Sequence, residues 1–349
     1  MSTTSSDALR KTPEIRPSGH PTMVDVARAA RVSIKTVSRV VNDEPGVSPA
    51  TAQRVREIIE LLEFRRNDMA RGLRQGSSSH TLGLVIGDVA NPFYSAITRG
   101  VEEVAREDGY LVITGSSDED PSQERNLVQL LCERRVDGLM VVPAGGDQGY
   151  LLAEMETGTP VVFLDRPPGG IATDVVLIDN RAGAGLGTDH LLSQGHRRIA
   201  LIGDKASLFT TTERVRGYRD ALRGHGIAAD DGLVRLGAHD VASAGAAVHD
   251  LLGLDDAPTA IFCANNRITV GALQALHRRE PRVAVVGFDD FELADMLAIP
   301  ATVVAYDPTE LGRWAAGLLR RRLAGEDMPQ QHLVLPTWLI TRGSGEVRP

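Results

Sequence analysis

Cysteine is almost missing from this sequence: Cys132 and Cys263 are the two thiols in 349 residues, far apart and each inside an apolar segment. Such a pair makes no disulfide framework and no metal site, and both read as small core residues. Aromatics are scarce at 4%, so packing must rest on Leu, Val, Ile and Ala. No run approaches the ~20 apolar residues of a membrane-spanning helix. The N-terminal stretch MSTTSSDALRKTPEIRPSGHP is polar and Pro/Ser-rich, without the apolar run of a secretory signal. A soluble, cytoplasmic protein is expected. No Ser-His-Asp set, metal-ligand spacing or pair of catalytic carboxylates occurs, and the nine histidines are scattered. Neither a cofactor nor a metal is therefore expected, and nothing marks an enzyme. His196, after Gly195, reads as a structural residue at a helix end.

Charge is present but unevenly spread. The net charge is −8, yet residues 1–79 carry 13 Lys/Arg against 9 Asp/Glu, while the remaining 270 carry 25 against 37. A basic head on an acidic body suits a nucleic-acid-binding module joined to something with another task. Within the head, Thr22 to Asn42 reads TMVDVARAARVSIKTVSRVVN. Val24, Ala27 and Ala30 recur at helical spacing behind a Thr22 cap. Ser33 caps a second pattern whose apolar stripe is Val37, Val40 and Val41. The other face of that second helix carries Lys35, Thr36, Ser38, Arg39 and Asn42, donors for phosphates and forked groups for base edges. On this stretch alone, a plain αα-hairpin remains open.

Ser48 and Pro49 start a third helix running to about Glu63, with Val55, Ile58, Ile59 and Leu62 on its inner face. Residues 67–79 combine a short basic helical segment with a Gly/Ser-rich linker. From Thr81 the pattern becomes alternating strands and helices. Short apolar strands at 82–86, 110–114, 138–142, 161–164, 175–178, 199–202, 260–263 and 283–286 are separated by helices at 93–108, 123–134, 181–194, 214–223 and 269–277. Such alternation builds doubly wound parallel α/β sheets, and 270 residues favour two lobes with a cleft between strand ends.

At this point the residues resemble the LacI/GalR family of bacterial transcription regulators over nearly all of 21–345. In the head the resemblance lies in Val24-Asp25-Val26-Ala27, Val32-Ser33, Thr36-Val37-Ser38-Arg39-Val40-Val41-Asn42 and Val47-Ser48-Pro49. In the body it lies in Asn91-Pro92-Phe93, Asp118-Glu119-Asp120, Arg135-Val136-Asp137-Gly138, Leu164-Asp165-Arg166, Gly195-His196-Arg197-Arg198-Ile199 and Val285-Val286-Gly287-Phe288-Asp289-Asp290. The resemblance implies an N-terminal all-α helix-turn-helix head on an α/β core of two doubly wound, periplasmic-binding-protein-like lobes. It implies a homodimer on a pseudopalindromic double-stranded DNA operator, with a small effector in the core cleft. The expected division is a disordered tail at 1–20, the head at 21–66, hinge and linker at 67–79, the core at 80–345 and a tail at 346–349. Lobe 1 would take about 80–178 and 307–331, and lobe 2 about 179–306 and 332–345.

Residue by residue, the family pattern puts Ile34, Lys35 and Arg39 at base edges. Lys35 and Arg39 suit guanine O6/N7, and Ile34 offers an apolar contact such as a thymine methyl. Thr22, Ser33, Thr36, Ser38 and Asn42 are placed for phosphates and caps, and capping alone would account for Ser33. Asn67, Ala70 and Leu73 match the hinge helix whose leucine wedges into the minor groove. Arg66 departs from the proline that relatives often carry there.

For the effector, the pattern points to Phe93, Tyr94, Asp165, Arg214, Asn265 and Asp289, with core packing as the other reading of the two aromatics. Asn266 departs from the usual Asp, and its role is left open. Asp, Asn and Arg with aromatics suit a sugar and would also serve a nucleoside. A scaffold-type regulator with an empty cleft is a further alternative. In relatives, helices like those near Asn91–Arg106 and Leu311–Leu323 carry the dimer contact. Gly183-x-Gly185-x-Gly187 is a poor dinucleotide fingerprint and reads instead as close helix packing.

Overall fold

A computed structural model describes residues 21–64, 78–277 and 282–349. The chain forms two compact units divided between Ser77 and Ser78. The expectations for the tail at 1–20 and for Asn67, Ala70 and Leu73 lie outside the described residues.

The first unit is built on α1 (Met23–Ala30), α2 (Ile34–Val41) and α3 (Pro49–Leu61). Each begins with a hydroxyl cap: Thr22, Ser33 and Ser48 accept from the backbone N–H three residues on. Each ends in a left-handed residue that is not glycine: Arg31, Asp43 and Glu63. Around each of these the backbone closes the paired bonds of a Schellman motif, for example Val32 N–H to the Ala27 carbonyl and Arg31 N–H to that of Arg28. The first of these stops makes the tight turn between α1 and α2. Val26, Ala27, Ala30, Val37, Val40 and Val55 form the buried centre. The expected stripe on α1 is corrected at one position: Val24 is exposed and Val26 is buried. Positions 23, 26, 27 and 30 share the inner face, because α3 packs against that side of α1. The third helix also stops at Leu61, short of Glu63.

The second unit contains two six-stranded sheets. Lobe 1 comprises β1 (Thr81–Ile86), α4 (Pro92–Glu107), β2 (Leu111–Ser116), α5 (Pro121–Glu133), β3 (Gly138–Val141), α6 (Leu152–Glu156), β4 (Val161–Leu164) and β5 (Asp174–Ile178). The chain then enters lobe 2 through α7 (Asn180–Ser193), β6 (Ile199–Gly203), α8 (Phe209–Gly224), β7 (Val234–Leu236), α9 (Val241–Leu252), β8 (Ala260–Cys263), α10 (Asn266–Leu276), β9 (Ala284–Phe288) and β10 (Thr302–Ala305). It returns to lobe 1 for α11 (Pro308–Leu323) and β11 (His332–Leu335), and crosses once more to β12 (Trp338–Ile340).

The sheet orders, β11-β5-β4-β3-β1-β2 and β12-β10-β9-β8-β6-β7, repeat the same connectivity. Pairing is parallel throughout, apart from antiparallel β10 and β12. The central strands are buried on both faces, which is why they read as unbroken apolar runs. The lobe division at 332 is corrected: 332–335 pairs with β5 and belongs to lobe 1, not lobe 2. Its anchor is the buried carboxylate of Asp174, which takes Arg322 from α11 and the Gln331 N–H together. That holds the returning chain on the edge of sheet 1 until residues 336–337 cross. Helix α8 also begins a turn earlier than the expected Arg214.

Close approach explains the glycines of α7. A side chain at Gly183 would meet the Phe288 ring at 2.8 Å, and one at Gly187 would meet Phe262 at the same distance. The Gly-x-Gly-x-Gly string thus lies within a helix laid flat on sheet 2, not in a strand-to-helix turn that could hold a pyrophosphate.

Candidate nucleic-acid interface and ligand cleft

On the head, the hydroxyls expected to seek phosphates are already engaged locally. Thr22 and Asp25 form a reciprocal capping box. Ser33 Oγ accepts from Thr36 N–H at 3.1 Å and lies 2.8 Å from Thr36 Oγ1. Asn42 Nδ2 donates to Ser38 Oγ at 3.3 Å and to Glu44 Oε1 at 3.1 Å. Ile34 and Lys35 stand exposed on the first turn of α2. Arg39 lies one turn further on, its guanidinium beside Gly46, where a Cβ would be 3.5 Å from Nη1. Neither Lys35 nor Arg39 forms an ion pair or side-chain hydrogen bond among the described residues. Two free cations four residues apart on one helix face, with an apolar residue beside them, match the geometry of major-groove reading.

In the second unit, the carboxyl ends of the strands from both lobes meet around a cavity of about 240 Å³. Phe93, Tyr94, Asp165, Arg214, Asn265 and Asp289 all line it. Asp165 follows β4 and Asp289 follows β9, both in the left-handed region (φ 67° and 70°). Each donates its N–H to the neighbouring strand, to Val176 O and Val304 O, so the two turns are built alike.

The Asp289 side is anchored through one carboxylate oxygen. Its Oδ1 accepts from Tyr306 Oη at 2.8 Å and from Arg214 Nη2 at 3.4 Å. Arg214, itself buried, gives Nε to Asn180 Oδ1 at 2.8 Å and Nη1 to the Ala264 carbonyl, and its guanidinium lies 3.7 Å from the centre of the Phe288 ring. Such a group is held before any ligand arrives.

The Asp165 side is not saturated. Its carboxylate accepts no side-chain or backbone hydrogen bond among the described residues, and Arg166 Nε stands 3.4 Å from Oδ2. Burial pushes Asp165 up to about 6, only partly opposed by Arg166 and Arg214. Arg166 turns its fork to Glu119: Nη1 donates to Oε2, and Nη2 to Oε1 at 2.8 Å. Nη1 also reaches Pro143 O, and Nη2 reaches Tyr94 Oη at 3.2 Å. Burial would raise Glu119, but the Arg166 fork outweighs it and holds the carboxyl below its usual range. Buried Tyr94 thus contributes its hydroxyl to this network, while half-buried Phe93 packs against it in a tilted arrangement with ring centres 4.8 Å apart and meets Tyr306 edge-on.

Asn265 caps α10, its Oδ1 accepting from Ile268 N–H, and its Nδ2 reaches Asp204 Oδ2 at 3.4 Å. The residue left open, Asn266, crosses the cleft: Nδ2 donates to Asn91 Oδ1 at 3.0 Å. Beside it Arg267 Nη2 pairs with Asp88 at 2.6 Å. Burial raises Asp88, but hydrogen bonds from Ala90 N–H and Arg267 prevail and lower it. These two contacts join lobe 2 to lobe 1 on the rim.

Sequence reasoning missed Glu119, Arg166, Tyr306 and the Asp88–Arg267 pair as cleft residues, and Asn180 as the buried residue that holds Arg214. Glu119 stood inside a quoted motif and Arg166 beside a chosen residue, so a signal existed for those two. Tyr306 had none, because its strand was not marked. Among the described residues no group of His, Cys, Asp and Glu could hold a metal ion, and no helix is long and apolar enough to cross a membrane. Buried His196 bridges Thr259 Oγ1 and the Val347 carbonyl, each at 2.8 Å, a structural tie to the C-terminus.

Comparison with known proteins adds to this geometry. Residues 22–67 match the family model for bacterial regulatory proteins of the lacI family, and residues 188–345 match a periplasmic binding protein-like domain. The ribose operon repressor of Escherichia coli (strain K12) is 34% identical over 93% of this chain and 99% of its own length. Among solved structures, the transcriptional regulator CelR in complex with cellobiose is 32% identical, with a TM-score of 0.70 over 93% of this chain and 99% of that one. The lac repressor dimer bound to operator and the anti-inducer ONPF is 26% identical, with a TM-score of 0.82 over 94% of this chain and all of that one.

Proposed function

The chain belongs to the LacI family of bacterial regulatory proteins, and from that premise we propose that it is a repressor whose grip on DNA is set by a small, sugar-like effector in the core cleft. It binds a pseudopalindromic operator as a homodimer, each head reading one half-site. Lys35 and Arg39 hydrogen-bond base edges, Ile34 makes an apolar contact, and the capped helix starts at Thr22 and Ser33 fix register on phosphates. Asn67, Ala70 and Leu73 serve the minor groove at the operator centre.

One observation carries the switch: the cleft is made by strand ends of both lobes, and contacts already bridge it at Asp88–Arg267 and Asn91–Asn266. A ligand that touches Asp165 of lobe 1 and Asp289 of lobe 2 stabilises one relative orientation of the lobes. Carboxylates facing a cavity beside the half-buried Phe93 ring suit hydroxyls and an apolar sugar face. A coupling of ~1–3 kcal/mol between cleft and heads changes operator affinity by roughly 5–150-fold. Release by an inducer is the arrangement expected.

The test is operator selection with the purified protein, repeated with and without a panel of sugars and nucleosides. A pseudopalindromic site whose occupancy falls with one sugar supports the reading. Selection of no sequence, or of a site no compound affects, removes the repressor or the effector half of it respectively.

A further inference from the structure

Every arginine of the cleft is already neutralised, and Glu119 neutralises the one that would otherwise face an incoming ligand. Arg214 spends its three nitrogens on Asn180, the Ala264 carbonyl and Asp289, and Arg267 is paired with Asp88. Arg166 gives both terminal nitrogens to Glu119, Tyr94 and Pro143 O. Its Nε is the remaining donor: buried, without a hydrogen-bond partner and 3.4 Å from Asp165 Oδ2. Lys205 is an exposed rim residue, where solvent screens it. Against these stand the carboxylates of Asp88, Asp118, Glu119, Asp165, Asp204 and Asp289.

The seat of Glu119 is built for it. The residue follows β2 in the left-handed region (φ 56°), which brings its side chain in from the edge of sheet 1. Gly87, at the end of β1, clears the space: a Cβ there would lie 2.5 Å from Glu119 Oε1 and 2.6 Å from Tyr94 Oη. Phosphate and carboxylate ligands need an uncommitted fork or ammonium to repay their desolvation. None of the cleft arginines offers such a fork, whereas the Asp165 carboxylate, which accepts no hydrogen bond among the described residues, is an acceptor that a neutral hydroxyl satisfies by donating to it. An anion in the same place meets two carboxylates and no free fork.

We propose that Glu119 is a specificity-determining residue that restricts the cleft to uncharged, hydroxyl-rich ligands and turns away sugar phosphates and sugar acids. This rests on the reading of the cleft as an effector site.

The experiment is isothermal titration calorimetry on the full-length protein with D-ribose, D-glucose, D-galactose and cellobiose, and with D-ribose 5-phosphate, D-glucose 6-phosphate and D-galacturonate at matched ionic strength. For wild type, at least one neutral sugar binds and its anionic counterpart binds roughly tenfold more weakly or worse. Glu119→Gln keeps the shape, removes the charge and narrows that ratio to within roughly threefold, with the melting temperature confirming that the variant folds. Wild type needs no variant, so its own ratio decides the matter should Glu119→Gln fail to fold. An anionic ligand bound as tightly as its neutral counterpart, or a ratio unchanged in folded Glu119→Gln, overturns the proposal while leaving the effector site standing. Binding of no compound in the panel to wild type overturns the effector reading and the proposal with it.

Discussion

The two lobes of the core share one topology, and β4 and β9 occupy the same place in their sheets, yet the aspartates that follow them live differently. Asp289 is met by Tyr306 and by a guanidinium that Asn180, Ala264 and the Phe288 ring hold in place. Asp165 has a guanidinium next to it in sequence, but that group faces Glu119. A shared fold therefore sets where a carboxylate sits, while the partners brought in by other segments set what its charge costs. The first aspartate is anchored and the second is poised, with an acceptor to spare.

The strongest way to break this contrast is Arg214→Ala. It leaves Asp289 buried without its cation and strands the acceptors on Asn180 and Ala264, so denaturant unfolding of the full chain loses about 3–5 kcal/mol. A loss below about 1 kcal/mol would mean the anchor is not one. Next comes the pair Asp289→Asn and Asp165→Asn. The former costs about 1–3 kcal/mol of stability. The latter leaves stability at pH 7 level or higher, because it removes a buried charge without hydrogen bonds, while sugar affinity falls about 10–100-fold. Equal destabilisation by both substitutions would erase the distinction.

A pH series sharpens the same point. Burial holds folded Asp165 at about 6, above the ~3.9 of an unfolded chain. Its ionisation therefore opposes folding at pH 7, and that cost disappears as the pH falls through about 6 towards ~4. The stability of wild type relative to Asp165→Asn should rise on acidification in that window, by up to about 1.4 kcal/mol per pH unit. Sugar affinity should fall over the same range as the acceptor is protonated. A flat difference would place the Asp165 titration elsewhere. The smallest effect belongs to the rim. The Asp88–Arg267 pair is about one-third exposed, so Arg267→Ala should cost only ~0.2–1 kcal/mol of lobe closure, less at high salt. Small-angle scattering with and without sugar would register it as a slightly more open core.

Much of this molecule was legible from residue order. The buried strands of both sheets announced themselves as apolar runs, and Thr22, Ser33 and Ser48 marked the head helices by their capping chemistry. All six expected cleft residues line the cavity. What escaped notice had weak local signals. The left-handed stops at Arg31, Asp43 and Glu63 carry no glycine, and the edge strand 234–236 is three residues long. Strand 302–305 sits between a loop and a crossing, and with it Tyr306 was overlooked. Segment 332–335 was put in the wrong lobe, because no local pattern says which sheet edge a returning strand will join; Asp174, some 160 residues earlier, decides that.

By itself the sequence determined a three-helix head with cations at Lys35 and Arg39 on the polar face of its second helix, a Gly/Ser-rich linker, and a doubly wound core with aspartates at two strand ends. Periodicity, capping and charge are local properties, and they survive in a string of letters. Only the tertiary structure decided which carboxylate each arginine would meet. Arg166 keeps only its Nε beside its neighbour Asp165 and turns its fork to Glu119, because the turn after β2 and the absence of a side chain at Gly87 put that carboxylate within reach. Pairings of this kind depend on which strand ends the fold brings together in space, and on that depends what the cleft can accept.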